Sequence, residues 1–134
     1  MAARPPSRRR VAAAIIERHD SHVLIVLPYA DSESPRHWQF PRGIVGAEES
    51  PEGAIRRIAR ETLGIGIEIV VGQPPFFAEL DGEEMEWRYF FCGVLAGDPN
   101  AGLFAEIRWL QKGQLGKYEF DSPSRPIAAW LVEP

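Results

Sequence analysis

The sequence predicts an α/β sandwich, in which β-strands surround one well-marked central helix and a second helix follows near the end of the chain. Short runs rich in Val, Ile and Phe alternate with turn residues, which is typical of strands. One segment carries apolar residues at helical spacing between a start and a stop signal. With 134 residues, 45% hydrophobic and 25% charged, the chain has the size and composition of a single globular domain.

The first half of the chain begins with strands. Val11–Glu17 and His22–Tyr29 are apolar runs separated by the polar segment 18–21, which predicts a hairpin or two neighbouring strands. The segment Pro28–His37 is rich in Pro, Ser and Asp and is predicted to be a loop. Trp38–Pro41 follows as a short extended piece, since a proline disfavours helix in the residue before it.

The central helix has clear ends. Ser50 is a favourable N-cap, Pro51 suits the first helical position, and Glu52 places a negative charge in the first turn. Gly64 is predicted to end the helix, because glycine readily adopts the left-handed conformation of a C-cap. The apolar residues of the buried face are Ala54, Ile55, Ile58, Ala59 and Leu63.

The second half of the chain is predicted to be mostly strands. Asp81–Gly82 favours a turn between two of them, and Pro123–Leu131 is predicted to be a terminal helix. The predicted strands are Ile65–Val71, Phe76–Leu80, Met85–Leu95 and Ala105–Leu110.

The charges are unevenly distributed. Residues 1–10 hold four arginines and no acid, so that the net charge of −4 for the whole chain becomes −8 for residues 11–134. We expect residues 1–10 to be a disordered tail and residues 11–134 to form one domain whose acidic surface does not bind DNA. No apolar run approaches the roughly 20 residues of a membrane span, and the single Cys92 excludes an internal disulfide. A cytoplasmic location without membrane association is expected.

The segment from Trp38 to Gly64 carries the candidate chemistry. Gly43 allows a close backbone approach, and the helix that follows offers free N–H groups at its N-terminus. Arg57 and Glu61 are four residues apart, so they share one helix face and can pair. Spacing alone is compatible with a surface helix bearing an ion pair or with a site for an anionic ligand.

This segment resembles the Nudix box of hydrolases that cleave nucleoside diphosphates linked to another moiety. The box has Gly, five residues, Glu, seven residues, then Arg-Glu-apolar-any-Glu-Glu-any-Gly-apolar. Gly43, Glu49, Arg57, Glu61 and Gly64 occupy its positions here. The preceding Trp-Gln-Phe-Pro and a later Glu-x-x-Trp are also similar to the family. The resemblance implies a Nudix α/β/α sandwich with a mixed β-sheet.

The resemblance also implies roles for residues. Glu61, Glu49 and Arg57 would be catalytic, and Glu61 with the carbonyl of Gly43 would hold Mg²⁺ or Mn²⁺, weakly and with help from the substrate phosphates. The ligand would be a nucleotide-type small molecule. Residues expected to contact it are Arg42, Gly43 and Arg36.

Two departures from the box change what is expected of the site. Ile58 and Thr62 stand where the family has Glu, on the same helix face as Glu61. Ile58 also lies in register with Ala54 and Ile55, so it belongs either to the metal face or to the core. Two functions therefore stay open: a weakened pyrophosphohydrolase, with dinucleoside polyphosphates among its candidate substrates, or a non-catalytic module that binds a nucleotide or a protein.

Other side chains offer replacements for the missing groups. Asp81, Glu83, Glu84, Glu86 and Glu106 could supply carboxylates from outside the box, or they could be solvated acids of a hairpin tip and an edge strand. The aromatic residues that could stack on a base, or pack in the core, are Tyr29, Phe77, Trp87 and Tyr89.

Overall fold

The computed structural model describes residues 8–29 and 37–133. It contains seven strands, two α-helices and one 3₁₀-helix within those ranges. The strands are β1 (Arg10–Glu17), β2 (His22–Leu27), β3 (Arg42–Ile44), β4 (Gly66–Gly72), β5 (Phe76–Leu80), β6 (Glu83–Ala96) and β7 (Glu106–Gln111). The helices are α1 (Pro51–Leu63), the 3₁₀-helix Lys112–Lys117 and α2 (Arg125–Val132).

All seven strands join one mixed sheet. Its main order is β4-β6-β1-β2-β7, with β3 paired to β1 and β5 paired to β6. β1 runs parallel to β6 and antiparallel to β2 and β3. The predicted mixed sheet is therefore confirmed.

The sheet separates two cores because alternate residues of each strand point to opposite faces. In β1, Ala12, Ala14 and Ile16 pack on the side of α1, while Val11, Ala13 and Ile15 pack on the other side with Ala128 of α2. All six of these β1 side chains are buried. This layering confirms the predicted α/β sandwich.

Helix α1 begins and ends where the sequence predicts. The Ser50 hydroxyl accepts a 3.0 Å hydrogen bond from the Gly53 N–H at the N-terminus. Gly64 has φ +71° and its N–H bonds back to the Arg60 carbonyl, which closes the last turn. The five predicted apolar residues of the helix are all buried.

Some predicted boundaries move because tertiary pairing decides them. β2 ends at Leu27 rather than Tyr29, and α2 begins at Arg125 rather than Pro123. Arg42–Ile44 forms β3 against β1, a strand that the sequence analysis does not predict. The 3₁₀-helix had no predicted counterpart.

The arginine-rich start of the chain is a correction. Arg10 is the first residue of β1, and Arg9 and Arg8 pair with Glu83 and Glu84 at the end of the β5–β6 hairpin. The expected disordered tail over residues 1–10 is wrong for these three residues, because strand pairing and opposite charges hold them, whereas residues 1–7 lie outside the described ranges.

Within the described ranges, neither α-helix has the length and apolar character of a membrane span.

Candidate functional site

The loop between β3 and α1 is held by a charged network centred on Arg57. The Arg57 guanidinium donates to both carboxylate oxygens of Glu49, at 2.7 and 2.9 Å, and to the Ile44 carbonyl at 3.0 Å. Glu49 in turn accepts the Gly46 N–H at 2.9 Å. Two charged groups thereby connect the first turns of α1 to both ends of the loop.

The same network fixes the charge states of its members. The Arg57 hydrogen bonds, and then the Gly46 N–H, lower the pKa of Glu49 to about 2. The hydrogen bond with Glu49 raises the pKa of Arg57 above its ordinary value. Glu49 is therefore an ionised structural brace at neutral pH, and it is poorly suited to accept a proton from water.

Arg10 adds a second tie to the same loop. Its guanidinium donates to the Glu49 carbonyl at 3.2 Å and to the Gly46 carbonyl at 3.4 Å. Sequence analysis does not predict this contact, because it assigns Arg10 to a disordered tail. The loop is consequently anchored to the start of the central strand β1 as well as to α1.

Ile58 occupies the centre of the site and belongs to the core. Its side chain is only 4% exposed and packs with the α1-side cluster. A Cβ added at Gly43 would lie 2.7 Å from Cδ1 and 2.9 Å from Cγ1 of Ile58. Position 58 thus faces Gly43 of β3. It presents an isoleucine where the family pattern has a carboxylate.

The remaining polar groups of this helix face do not form a metal cluster. The Thr62 hydroxyl donates to the Ile58 carbonyl at 2.6 Å. Glu61 is 55% exposed and its Oε2 accepts one 3.2 Å bond from Arg57. No group of three or more potential metal-ligating side chains occurs in residues 8–29 and 37–133. These residues do not fit a cluster of several divalent ions.

Three of the five candidate replacement carboxylates, Glu83, Glu84 and Glu106, are ion-paired elsewhere. Glu83 and Glu84 pair with Arg9 and Arg8, and Glu86 lies opposite Arg10 in the β1–β6 register. Glu106 accepts a 2.8 Å hydrogen bond from Arg108. Among the described residues these acids join Glu61 in no metal-binding group, which favours the interpretation of Glu83, Glu84 and Glu106 as ion-paired surface acids.

The residues expected to contact substrate have different outcomes. Arg42 is only 11% exposed, forms a 2.6 Å ion pair with Asp121 and lies over the Trp87 ring. Arg42 is therefore not the free surface cation that the phosphate contact required, because its charge is already satisfied inside the protein. Gly43 lies in β3, beside Ile58. Arg36 is outside the described residues.

A buried polar cluster surrounds that ion pair. Tyr89 and Ser124 are fully buried, and burial raises the pKa of Tyr89 to about 12. A side-chain interaction with Ser124 opposes that rise, so the two hydroxyls lie close together. Arg42 Nη1 and Asp121 Oδ1 are buried beside them, so this polar cluster belongs to the core and is not open to a ligand.

An aromatic wall and a cavity adjoin this cluster. The rings of Phe76, Trp87 and Tyr89 are within 16° of parallel, with centroids 5.9 to 6.5 Å apart. Phe76 also lines a cavity of about 300 Å³ between β5 and α2, together with Pro123. The sequence predicts that Trp87 and Tyr89 either stack on a base or pack in the core, and both lie in the core.

Asp121 and Ser124 were missed by sequence analysis. They lie just before α2, far from the box in sequence, and no local pattern marks them as polar groups that become buried. The only signal was the proline-rich character of the segment 121–126, which predicts a fixed backbone rather than a site.

The comparisons with known proteins agree with this geometry. The family model described as NUDIX domain matches residues 7–131. No curated protein matches this sequence. A solved MutT structure, from work on Aliivibrio salmonicida and Vibrio cholerae, superposes with a TM-score of 0.73 at 23% identity and covers 95% of this chain and 98% of its own.

Two further solved structures are similar. The ORF135 protein of E. coli has a TM-score of 0.72 at 25% identity, covering 90% of this chain and 86% of that one. An Ap4A hydrolase of C. elegans, in a binary complex, has a TM-score of 0.71 at 20% identity, covering 92% and 98%. Since the family model spans nearly the whole sequence, the chain belongs to the NUDIX domain family.

Proposed function

We propose that this protein binds a nucleoside diphosphate derivative without hydrolysing it efficiently. The observation that carries this proposal is the contact between Ile58 and Gly43, where an apolar side chain fills the centre of the box. Hydrolysis of a diphosphate needs cations that neutralise its charge and activate water. With Glu61 as the one box carboxylate left on this face, the acidic cluster that would hold those cations is missing.

Ligand binding is supported by a cavity between β5 and α2. The cavity of about 300 Å³ has the size of a small-molecule site and is lined mainly by apolar residues, including Phe76, Pro123 and Ile127. Phe76, which lines the cavity, stacks with the buried rings of Trp87 and Tyr89. A flat heterocycle suits such an apolar, aromatic environment. The C. elegans relative named as an Ap4A hydrolase makes adenine nucleotides a reasonable first panel.

A slow pyrophosphohydrolase is the second candidate, favoured by the exposure of Glu61. Its Oε1 accepts no hydrogen bond from a described residue, so one oxygen remains free beside the loop. Loss of a general base alone lowers rates by about 10²–10⁴, and losses within one site do not simply multiply. Residual activity that depends on Glu61 would distinguish this candidate from a pure binding module.

The test combines calorimetric binding and phosphate release on the same panel of dinucleoside polyphosphates and nucleoside diphosphate derivatives, with Mg²⁺ and with Mn²⁺. We expect binding, and release that equals the Glu61→Gln background. Metal-dependent release that Glu61→Gln abolishes would establish the second candidate instead. Absence of binding across the panel would contradict both.

A matched pair of variants locates the binding. Ser122 is exposed and lines the cavity, so Ser122→Phe should block it and weaken binding by at least about tenfold. Leu103, 62% exposed, does not line that cavity, and Leu103→Phe should leave binding unchanged. Equal behaviour of the two variants would place the ligand elsewhere.

A further inference from the structure

A second pocket lies at the C-terminal end of α1, separate from the box loop. It has a volume of about 370 Å³ and is lined by Arg56 and Arg60 of α1 together with Gly64, Gly66, Gly97 and Ile65. Arg56 and Arg60 each immediately precede Arg57 and Glu61, so they are turned about 100° around the helix from that pair. The two arginines therefore occupy the flank of α1 away from the Glu49–Arg57 network.

The two arginines differ from the others that the structure describes. Eleven arginines lie in the described ranges, and nine of them contact a carboxylate or a backbone carbonyl. Arg56 and Arg60 are the two without such a partner among the described residues, although the domain carries an excess of acids. They are exposed, one helical turn apart, and line the same pocket.

The floor of the pocket is made of backbone. Gly64 and Gly97 have φ +71° and +85°, and a Cβ at Gly97 would lie 3.1 Å from the Gly64 carbonyl oxygen. A Cβ at Gly66 would meet only Ala96, at 3.9 Å. The pocket is open because three of its lining positions lack side chains, and Ile65, Ile67 and Ala96 make the rest of the floor apolar.

We propose that this pocket binds the phosphate group of a small phosphorylated molecule, whose apolar part lies on the glycine floor. Guanidinium groups bind phosphate oxygens through charge-assisted hydrogen bonds. Arg60 also lies in the last turn of α1, where a positive charge favours the helix dipole. An interaction of Arg60 with the helix dipole does not explain why Arg56 has no partner among the described residues. It also does not explain the concave glycine floor beside both arginines. This inference does not depend on the proposed function, because none of these residues lines the cavity between β5 and α2.

The test follows amide NMR signals of the intact protein during titration with inorganic phosphate and with phenyl phosphate. We expect signals of Gly64, Gly66 and Gly97 to shift, with a dissociation constant on the order of a millimolar for inorganic phosphate and tighter binding of phenyl phosphate. The glycine signals separate this pocket from any phosphate binding at the box loop. Absence of shifts at these glycines at ligand concentrations up to roughly ten times the expected dissociation constant would overturn the proposal.

Variants separate a specific site from general attraction. The double variant Arg56→Gln/Arg60→Gln should weaken the glycine shifts at least about tenfold, while Arg18→Gln/Arg108→Gln removes the same charge from ion-paired arginines and should not. Gly66→Val fills the floor and should weaken phenyl phosphate more than inorganic phosphate. Equal effects of the two arginine pairs, or unchanged phenyl phosphate binding in Gly66→Val, would contradict the assignment.

Discussion

Two adjacent positions of α1 differ in how they match the box: Arg57 has the box residue and Ile58 does not. Arg57 contacts both oxygens of Glu49, the Ile44 carbonyl and Glu61, all within 3.2 Å. Ile58, one residue later, has lost the box carboxylate and packs into the core against Gly43. The charged brace is present, whereas the position that faces Gly43 carries an apolar side chain.

We infer from this difference that the box residues of this chain fall into two groups. Glu49 and Arg57 hold the loop against α1. Position 58, which faces Gly43, presents no carboxylate. Because the brace forms in a chain that lacks this carboxylate, the presence of Glu49 and Arg57 alone does not indicate activity.

The largest effect should come from reversing the change at position 58. Ile58→Glu would place a carboxylate in an apolar core and should lower the free energy of unfolding by at least about 3 kcal/mol, the scale of an uncompensated buried charge. Urea denaturation measures this loss. Because Thr62 still stands where the box has its other Glu, added Mg²⁺ should not restore the stability of Ile58→Glu.

The control for that variant keeps the volume and polarity of the core. Ile58→Leu should cost less than about 1.5 kcal/mol. An Ile58→Glu protein as stable as the parent, or one that Mg²⁺ stabilises strongly, would show that position 58 still belongs to a metal face.

The contact between Gly43 and Ile58 can be measured by a double-mutant cycle. Gly43→Ala adds a Cβ that would lie 2.7 Å from Ile58 Cδ1, and this overpacking should cost about 1–3 kcal/mol. Ile58→Val removes that methyl group, so the alanine should be less costly in its presence. Additive effects of the two substitutions on the free energy of unfolding would contradict the contact.

The bracing side should give a smaller, pH-dependent effect. The Arg57 contact lowers the pKa of Glu49 to about 2, below its ordinary value of 4.5, so the ionised form stabilises the folded state. That contribution is complete above pH 4.5 and is lost as the pH falls towards 2, because the unfolded chain takes up the proton first. Glu49→Gln should flatten the decline of stability with pH in this window, whereas Glu48→Gln should not. Parallel pH profiles for parent and Glu49→Gln would contradict the brace.

Much of the fold could be predicted from the sequence because its signals are local. Ser50, Pro51 and Gly64 mark the ends of α1, and the alternation in β1 divides its side chains between the two cores. The helical spacing of Arg57 and Glu61 likewise predicts their ion pair, which the structure contains at 3.2 Å. These features depend on residues near each other in the chain or at fixed helical spacing.

The rest depends on contacts between distant segments. The sequence predicts that Arg42 contacts phosphate, but in the structure Arg42 forms an ion pair with Asp121, a residue far along the chain. Arg10 became part of β1 through pairing with β6. The sequence placed Ile58 equally well on the metal face or in the core, and only its packing against Gly43 decides between them.

The central claim is that this Nudix box has lost its metal-facing half, and Mn²⁺ tests it directly. Paramagnetic Mn²⁺ broadens NMR signals of nuclei near its binding site, so the Ile58 methyl groups and the Gly43 amide report on the site itself. Because affinity for hard cations follows the number of carboxylate ligands, we predict no selective broadening of these signals at stoichiometric Mn²⁺ and no site tighter than roughly millimolar without nucleotide. Selective broadening of both signals at one equivalent of Mn²⁺ would contradict the account.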